Sequence, residues 1–346
     1  AFVEEDRNDL VYLSMKFQQV TGPVMAKGVE DTAFYVYNRL VSMNEVGGHP
    51  YRFGVPVTEF HQQNVERQRL WPHSLLATST HDTKRGEDVR ARIDVLSEIP
   101  GEWEEALARW SQLNAPKKSR LNGDLAPDRN DEYLLYQTLI GAWPDSSTHH
   151  SSLITHHLEL DQEEMERFRE RIAAYMRKAT KEAKVHTSWV NANDQYDDAV
   201  QEFVSRVLAD LPGDPFIRDF QTFQRRVAYF GRFNGLSQLL LKLTSPGVPD
   251  IYQGCELWDL NLVDPDNRRP VDFRHRENLL SELQERLGRG DGEMVALARE
   301  LLDSSWDGRI KLYVTFRALG FRADHRELFS RGGYAPLQAR GEKRAH

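Results

Sequence analysis

A single cysteine, Cys255, occurs in 346 residues, so no disulfide can form within the chain, and a reducing, cytoplasmic setting is expected. Long hydrophobic runs are missing too. Leu239-Leu240-Leu241 and Leu75-Leu76-Ala77 fall far short of the roughly 18 apolar residues needed to span a bilayer, and no basic and apolar leader opens the sequence. Positive charge is not in excess. With 45 Lys and Arg against 53 Asp and Glu, the formal net charge is −8, which disfavours nucleic acid and anionic lipid and leaves a neutral partner as the expectation. No internal repeat occurs, and glycine and proline, 22 and 15 residues, stay at ordinary levels, which excludes collagen and low-complexity tails.

What is present is the composition of an ordinary globular protein, 40% hydrophobic and 28% charged, long enough for about two domains of roughly 150 residues or one barrel with insertions. The sequence opens at Ala1 without an initiator Met and already in mid-pattern, so a fragment of a longer protein is expected.

Between residues 101 and 243 the dominant period is helical. Trp103, Leu107, Trp110 and Leu113 recur three or four apart, as do Met165, Phe168, Ile172, Tyr175 and Met176, which places each set on one buried stripe with Glu, Arg and Lys facing water. Asp214-Pro215 reads as a cap and first helical residue, opening a long helix that Ser245-Pro246-Gly247 stops. Short apolar runs at 22–25, 75–80 and 248–252, bounded by turn residues, read as strands of a sheet buried on both faces. Residues 310–316 fit either a strand or a helix. From Gly332 onward, glycines and Pro336 suggest the start of a β element.

The sharpest chemical signal is the run Leu75-Leu76-Ala77-Thr78-Ser79-Thr80-His81-Asp82, an apolar strand ending in a His-Asp pair. At the carboxyl end of a parallel barrel strand, such groups point at a ligand. A carboxylate there suits sugar chemistry, because hydrogen bonds to ring hydroxyls strengthen as the anomeric carbon becomes cationic. The competing reading makes Asp82 a cap for the following helix and His81 an ordinary loop residue.

The stretch Gly247-Val248-Pro249-Asp250-Ile251-Tyr252-Gln253-Gly254-Cys255-Glu256 resembles the last barrel strand of the alpha-amylase superfamily, and His81-Asp82 resembles the pair that ends its seventh strand. Residues 22–35, 80–92, 183–189 and 259–272 are similar to blocks of the maltooligosyl trehalose synthases within that superfamily. The resemblance implies an α/β fold, a partial (β/α)8 TIM barrel holding strands 6 to 8, with a large helical insertion and the start of a C-terminal β domain. Residues 1–85 would carry strands 6 and 7, residues 86–245 the insertion, residues 246–325 strand 8 and the helices after it, and residues 326–346 the start of the β domain. It implies an isomerase that turns the reducing-end α-1,4 link of a maltooligosaccharide into an α,α-1,1 link by a retaining route. Asp82 matches the third catalytic carboxylate, with His81 beside it. The nucleophile and the general acid would lie upstream, in a missing N-terminal barrel half, leaving this chain inactive alone. Alternatives are another alpha-amylase-type hydrolase or transglycosylase, and a noncatalytic glycan-binding scaffold.

Lys27, Glu30 and Asp31 could reach sugar hydroxyls or form a surface salt bridge. Lys84 and Arg85 adjoin Asp82 and could stabilise it or hold a glucose unit. Tyr35, Tyr252 and Trp258 offer faces for stacking on sugar rings or for core packing. His149, His150, His156 and His157 form two pairs, but with no Cys or carboxylate at ligand spacing a zinc site is not expected. Cys255 has no histidine placed to activate it. No cofactor is implied, since the chemistry needs only carboxylates.

Overall fold

The computed structural model describes residues 2–145, 162–209, 213–337 and 340–342. In chain order the helices are α1 (Phe2–Val24), α2 (Phe34–Val36), α3 (Val57–Leu70), α4 (Glu87–Asp94), α5 (Pro100–Asn114), α6 (Arg129–Ala142), α7 (Gln162–Ala183), α8 (Asp194–Val207), α9 (Pro215–Thr244), α10 (Phe273–Leu287), α11 (Asp291–Asp303), α12 (Arg309–Asp324) and α13 (Arg326–Arg331). The strands are short: β1 (Leu75–Leu76), β2 (Ser119–Leu121), β3 (Asp124–Ala126) and β4 (Val248–Pro249). The fold is therefore a mostly helical α/β arrangement with few strands. The chain divides into two units, residues 1–50 with 93–227 and residues 51–92 with 228–346.

In the first unit the expected helical stripes form and pack. Trp103 and Trp110 of α5 are buried, as are Met165, Phe168, Ile172, Tyr175 and Met176 of α7. Leu113 is instead on the wet side of its helix. Trp110 sits at the centre of an aromatic core, with ring centroids 5.6 Å from Tyr136, 5.8 Å from Phe216 and 5.2 Å from Phe220, and its indole N–H donates to Asp219 Oδ2 at 2.6 Å. Asp214 caps α9 as its sequence suggests, Oδ1 accepting from the backbone N–H of Phe216 at 2.8 Å.

Residues 22–25 are not a strand. They end α1 and lead into a nine-residue π-helix, Met25–Ala33. A four-residue apolar run does not distinguish strand from helix by its pattern, and here a local ladder satisfies the backbone groups that a lone strand would leave open. The wide turn is fixed by Thr32 Oγ1, which donates to the Lys27 carbonyl at 2.8 Å.

In the second unit β1 and β4 pair in parallel, Leu75 with Val248 and Leu76 with Pro249, so two of the three apolar runs read as strands are neighbours. The turn into β4 needs Gly247: its φ is +127°, and a Cβ there would lie 2.8 Å from Leu76 Cγ and 2.9 Å from the Ser74 carbonyl oxygen. Residues 310–316 are helical, within α12. Ile310 and Leu312 pack with Leu283, Leu297 and Leu301 of α10 and α11, and that burial decides what the alternation left open. No strand forms in the described part of residues 326–346. They begin with α13, and Tyr334 is then held by side chains of α3, its N–H donating to Gln68 Oε1 at 2.8 Å and its hydroxyl 2.7 Å from His61 Nδ1. A β element needs a partner strand, and α3 offers none.

Candidate active site

Parallel pairing puts the carboxyl ends of β1 and β4 side by side, so the loop carrying His81 and Asp82 leaves the sheet beside the one carrying Tyr252. The ladder continues past the strands, Asp250 N–H donating to the Leu76 carbonyl at 2.9 Å. Asp82 is exposed, with Lys84 Nζ 3.9 Å from its Oδ1. It does not cap α4. That role falls to Ser79, whose Oγ accepts from the Glu87 N–H at 2.9 Å. His81 is exposed as well, whereas Lys84 and Arg85 are buried. Arg85 pairs with Leu262 across an isolated antiparallel bridge, and its carbonyl accepts from Arg90 Nη1 at 2.6 Å. A hollow of about 700 Å³ runs along β1 between Phe60, Thr78, Gln238 and Lys242. Asp82 does not border it and faces solvent instead.

The two loops are joined by Asn267, on the turn Asp266–Arg268. Its Nδ2 donates to the carbonyl of His81 at 3.1 Å, and its own carbonyl accepts from the Tyr252 hydroxyl at 3.1 Å. Burial pushes the Tyr252 hydroxyl pKa up. Glu256, the acidic end of the last-strand pattern, is engaged by Arg276 Nε at 3.0 Å. Trp258 donates its indole N–H to the Ser305 carbonyl at 2.7 Å.

Beneath the His81-Asp82 loop lies a buried ionic cluster that composition and spacing do not reveal. Lys311 Nζ is 2.8 Å from Glu87 Oε1 and 2.7 Å from Asp88 Oδ2, and Lys242 Nζ is 3.3 Å from Glu87 Oε2. Thr78 donates its hydroxyl to Glu87, and Asp88 Oδ2 also accepts from the Asp259 N–H at 2.8 Å. Burial raises the Glu87 carboxyl, but the charges of Lys311 and Lys242 outweigh this and hold it at about 2. Burial and the neighbouring Asp88 charge push Asp259 up to about 6. Burial lowers the Lys311 ammonium pKa, yet Asp88 and Glu87 raise it further than burial depresses it. Such a cluster fixes geometry, since any member left alone would be a costly buried charge. The available signal is a lysine between aliphatic residues, Leu241-Lys242-Leu243 and Ile310-Lys311-Leu312. Cys255 is fully buried, and burial raises its thiol pKa well above the usual value, which disfavours the reactive thiolate.

In the first unit, Lys27, Glu30 and Asp31 lie on the π-helix rather than after a strand. Lys27 pairs with Asp31, and Glu30 Oε1 accepts from the Gly47 N–H at 3.3 Å. Tyr35 is packed into the core, with no ring face open to a sugar. The four histidines 149, 150, 156 and 157 lie outside the described residues. Among the described residues, Asp128, Asp131 and His186 bring potential metal-binding atoms within 4.8 Å of one another. Each is already used: His186 Nε2 is 2.7 Å from Asp128 Oδ2, Asp128 Oδ1 caps α6 at the Asp131 N–H, and Asp131 accepts from the Tyr196 hydroxyl. Burial lifts Asp131 to about 6. Among the described residues no helix is long and apolar enough to cross a membrane.

No family model matches the sequence. Over 333 residues, 96% of its length, the chain is 39% identical to a Mycobacterium tuberculosis (strain H37Rv) protein named "Putative maltooligosyl trehalose synthase", of which it spans 37%. The solved maltooligosyltrehalose synthase of Arthrobacter ramosus superposes with a TM-score of 0.75 at 36% identity, over 96% of this chain and 37% of that one. A Sulfolobus tokodaii structure, described as a hypothetical maltooligosyl trehalose synthase, does so with a TM-score of 0.75 at 36% identity, over 97% of this chain and 40% of that one. The paired parallel strands and the His-Asp loop agree with the likeness to the alpha-amylase superfamily read from the sequence. Nearly the whole of the chain is similar to proteins named as maltooligosyl trehalose synthases, and it spans somewhat over a third of their length.

Proposed function

We propose that this chain is the part of a maltooligosyl trehalose synthase that supplies the third catalytic carboxylate, Asp82, to an enzyme converting the reducing-end α-1,4 link of a maltooligosaccharide into an α,α-1,1 link. The observation that carries the reading is that Asp82 is exposed, caps no helix, and lies on the loop that leaves the carboxyl end of β1 beside the loop from β4 that carries Tyr252. Active faces of (β/α)8 barrels are built from such ends. Parallel sheets are as a rule covered on both faces, whereas Leu75 and Val248 of this two-stranded ladder are exposed rather than buried as their apolar runs suggest; that open surface supports a partial barrel completed by further strands, with strands in residues 1–85 and 246–325, a helical insertion at 86–245 and a further domain from 326.

In this reading sequence outside the chain, an N-terminal barrel half, provides the nucleophile and the acid/base residue. Exposed apolar side chains along α1, Leu10, Leu13, Phe17 and Val20, give that half a surface to cover. Asp82 grips hydroxyls of the glucosyl unit as charge develops at its anomeric carbon, and His81 donates to a neighbouring hydroxyl. The freed glucose then turns in a pocket closed to water and attacks through its own anomeric hydroxyl. Tyr252 is a proposed sugar contact beside Asp82, and Lys84 and Arg85 are proposed to support Asp82. The single buried cysteine suits a cytoplasmic enzyme.

The test is incubation of the complete enzyme with maltopentaose. Loss of reducing ends without shortening of the chain is the expected result. Shorter reducing sugars would make the protein a hydrolase of the same superfamily, and no turnover at all would favour a glycan-binding scaffold.

A further inference from the structure

We infer that Asn267 is a positioning residue for Asp82, holding the His81–Asp82 peptide in the plane from which the carboxylate reaches the sugar; this rests on the function proposed above. Asn267 is 95% buried, at 5% exposure. Its Nδ2 donates to two carbonyl oxygens, of Thr80 at 3.4 Å and of His81 at 3.1 Å. Two acceptors on one side can be served only by the NH₂ end of an amide, so the side chain has one workable orientation. The other end is left over: Asn267 Oδ1 is buried and accepts no hydrogen bond among the described residues. Buried acceptors are rarely left unpaired, and here the orphan accompanies a grip on the residue just before Asp82.

The His81 carbonyl and the Asp82 N–H belong to one rigid peptide unit. Asn267 holds the first, and Thr80 Oγ1 accepts from the second at 3.2 Å. With both ends of that plane bonded, the Asp82 Cα has little freedom. The turn that presents Asn267 is itself anchored, Asp266 Oδ2 accepting from the Leu262 N–H at 2.8 Å while Leu262 pairs with Arg85 at the far end of the same loop. Tyr252 joins through the Asn267 carbonyl, so one residue sets both loop ends above the strand pair.

The experiment is steady-state kinetics on maltopentaose with the complete enzyme and its Asn267→Ala and Asn267→Asp variants. Misplacing a catalytic group by an ångström costs up to about a hundredfold, so kcat should fall roughly tenfold to a hundredfold while KM stays within about threefold. Asn267→Asp keeps the shape and sets a carboxylate oxygen against the two carbonyls. At lower pH that carboxyl gains a proton and can donate again, so its kcat relative to wild type should rise as pH falls, while the same ratio for Asn267→Ala stays flat. A general loss of folding would show neither the split nor the acid rescue. Variants that fold and keep kcat within about twofold of wild type, a loss confined to KM, or a pH-independent Asn267→Asp ratio would overturn the inference. If wild-type enzyme shortens maltopentaose instead, the proposed function fails, while the same comparison made on that hydrolysis still decides the role of Asn267.

Discussion

Lys311 Nζ, with its side chain wholly buried, lies 2.7 Å from Asp88 Oδ2, joining residues 223 apart in sequence beneath the loop that carries Asp82. Asp88 opens the helix that follows this loop, and Lys311 sits on α12 among the leucines of α10 and α11. The pair therefore ties the base of the candidate site to the core of its unit.

Removing one partner of a buried ion pair leaves the other uncompensated, which costs about 3–5 kcal/mol. Lys311→Met should cost that much in unfolding free energy measured by urea denaturation, and adding Asp88→Asn should recover part of it. A loss below about 1 kcal/mol, the worth of an exposed pair, would mean that the cluster contributes little.

Asp131 gives a pH signature. Burial raises its folded-state value to about 6, against an ordinary value of 3.8. A carboxyl with a raised folded value binds its proton more tightly when folded, so its contribution is complete below about pH 4 and is lost as pH rises through 6. The stability of wild type relative to Asp131→Asn should fall by about 2–3 kcal/mol over that window and level off above it. Denaturation curves across the range check this, and a difference that grows with pH would contradict it.

Expressed alone, the 346 residues should not convert maltopentaose, because the proposed nucleophile and acid lie outside them. Product formation followed by chromatography is the check. Sustained turnover by the purified chain would contradict the division of the catalytic carboxylates proposed above.

Legibility from sequence followed the range of the interaction. The stripes of α5 and α7 and the Asp214 cap of α9 are local, and apart from Leu113 they appear in the structure where residue spacing places them. Residues 22–25 went the other way because four apolar residues carry no period, and a π-helix has no composition of its own. Residues 310–316 were settled only by what Ile310 and Leu312 touch. At the site, the His81-Asp82 pair stands out because it ends an apolar run. Asn267, Lys242 and Lys311 do not, since their meaning lies in partners more than 150 residues away.

The most direct test compares the complete enzyme with its Asp82→Asn variant, following conversion of maltopentaose beside thermal unfolding. The Asp82 side chain is exposed and its ion-pair contact, with Lys84, is long at 3.9 Å, so turnover should drop by about a thousandfold or more while stability changes by less than about 1 kcal/mol. A variant that retained near-normal turnover would contradict the assignment of Asp82, and with it the function proposed for this chain.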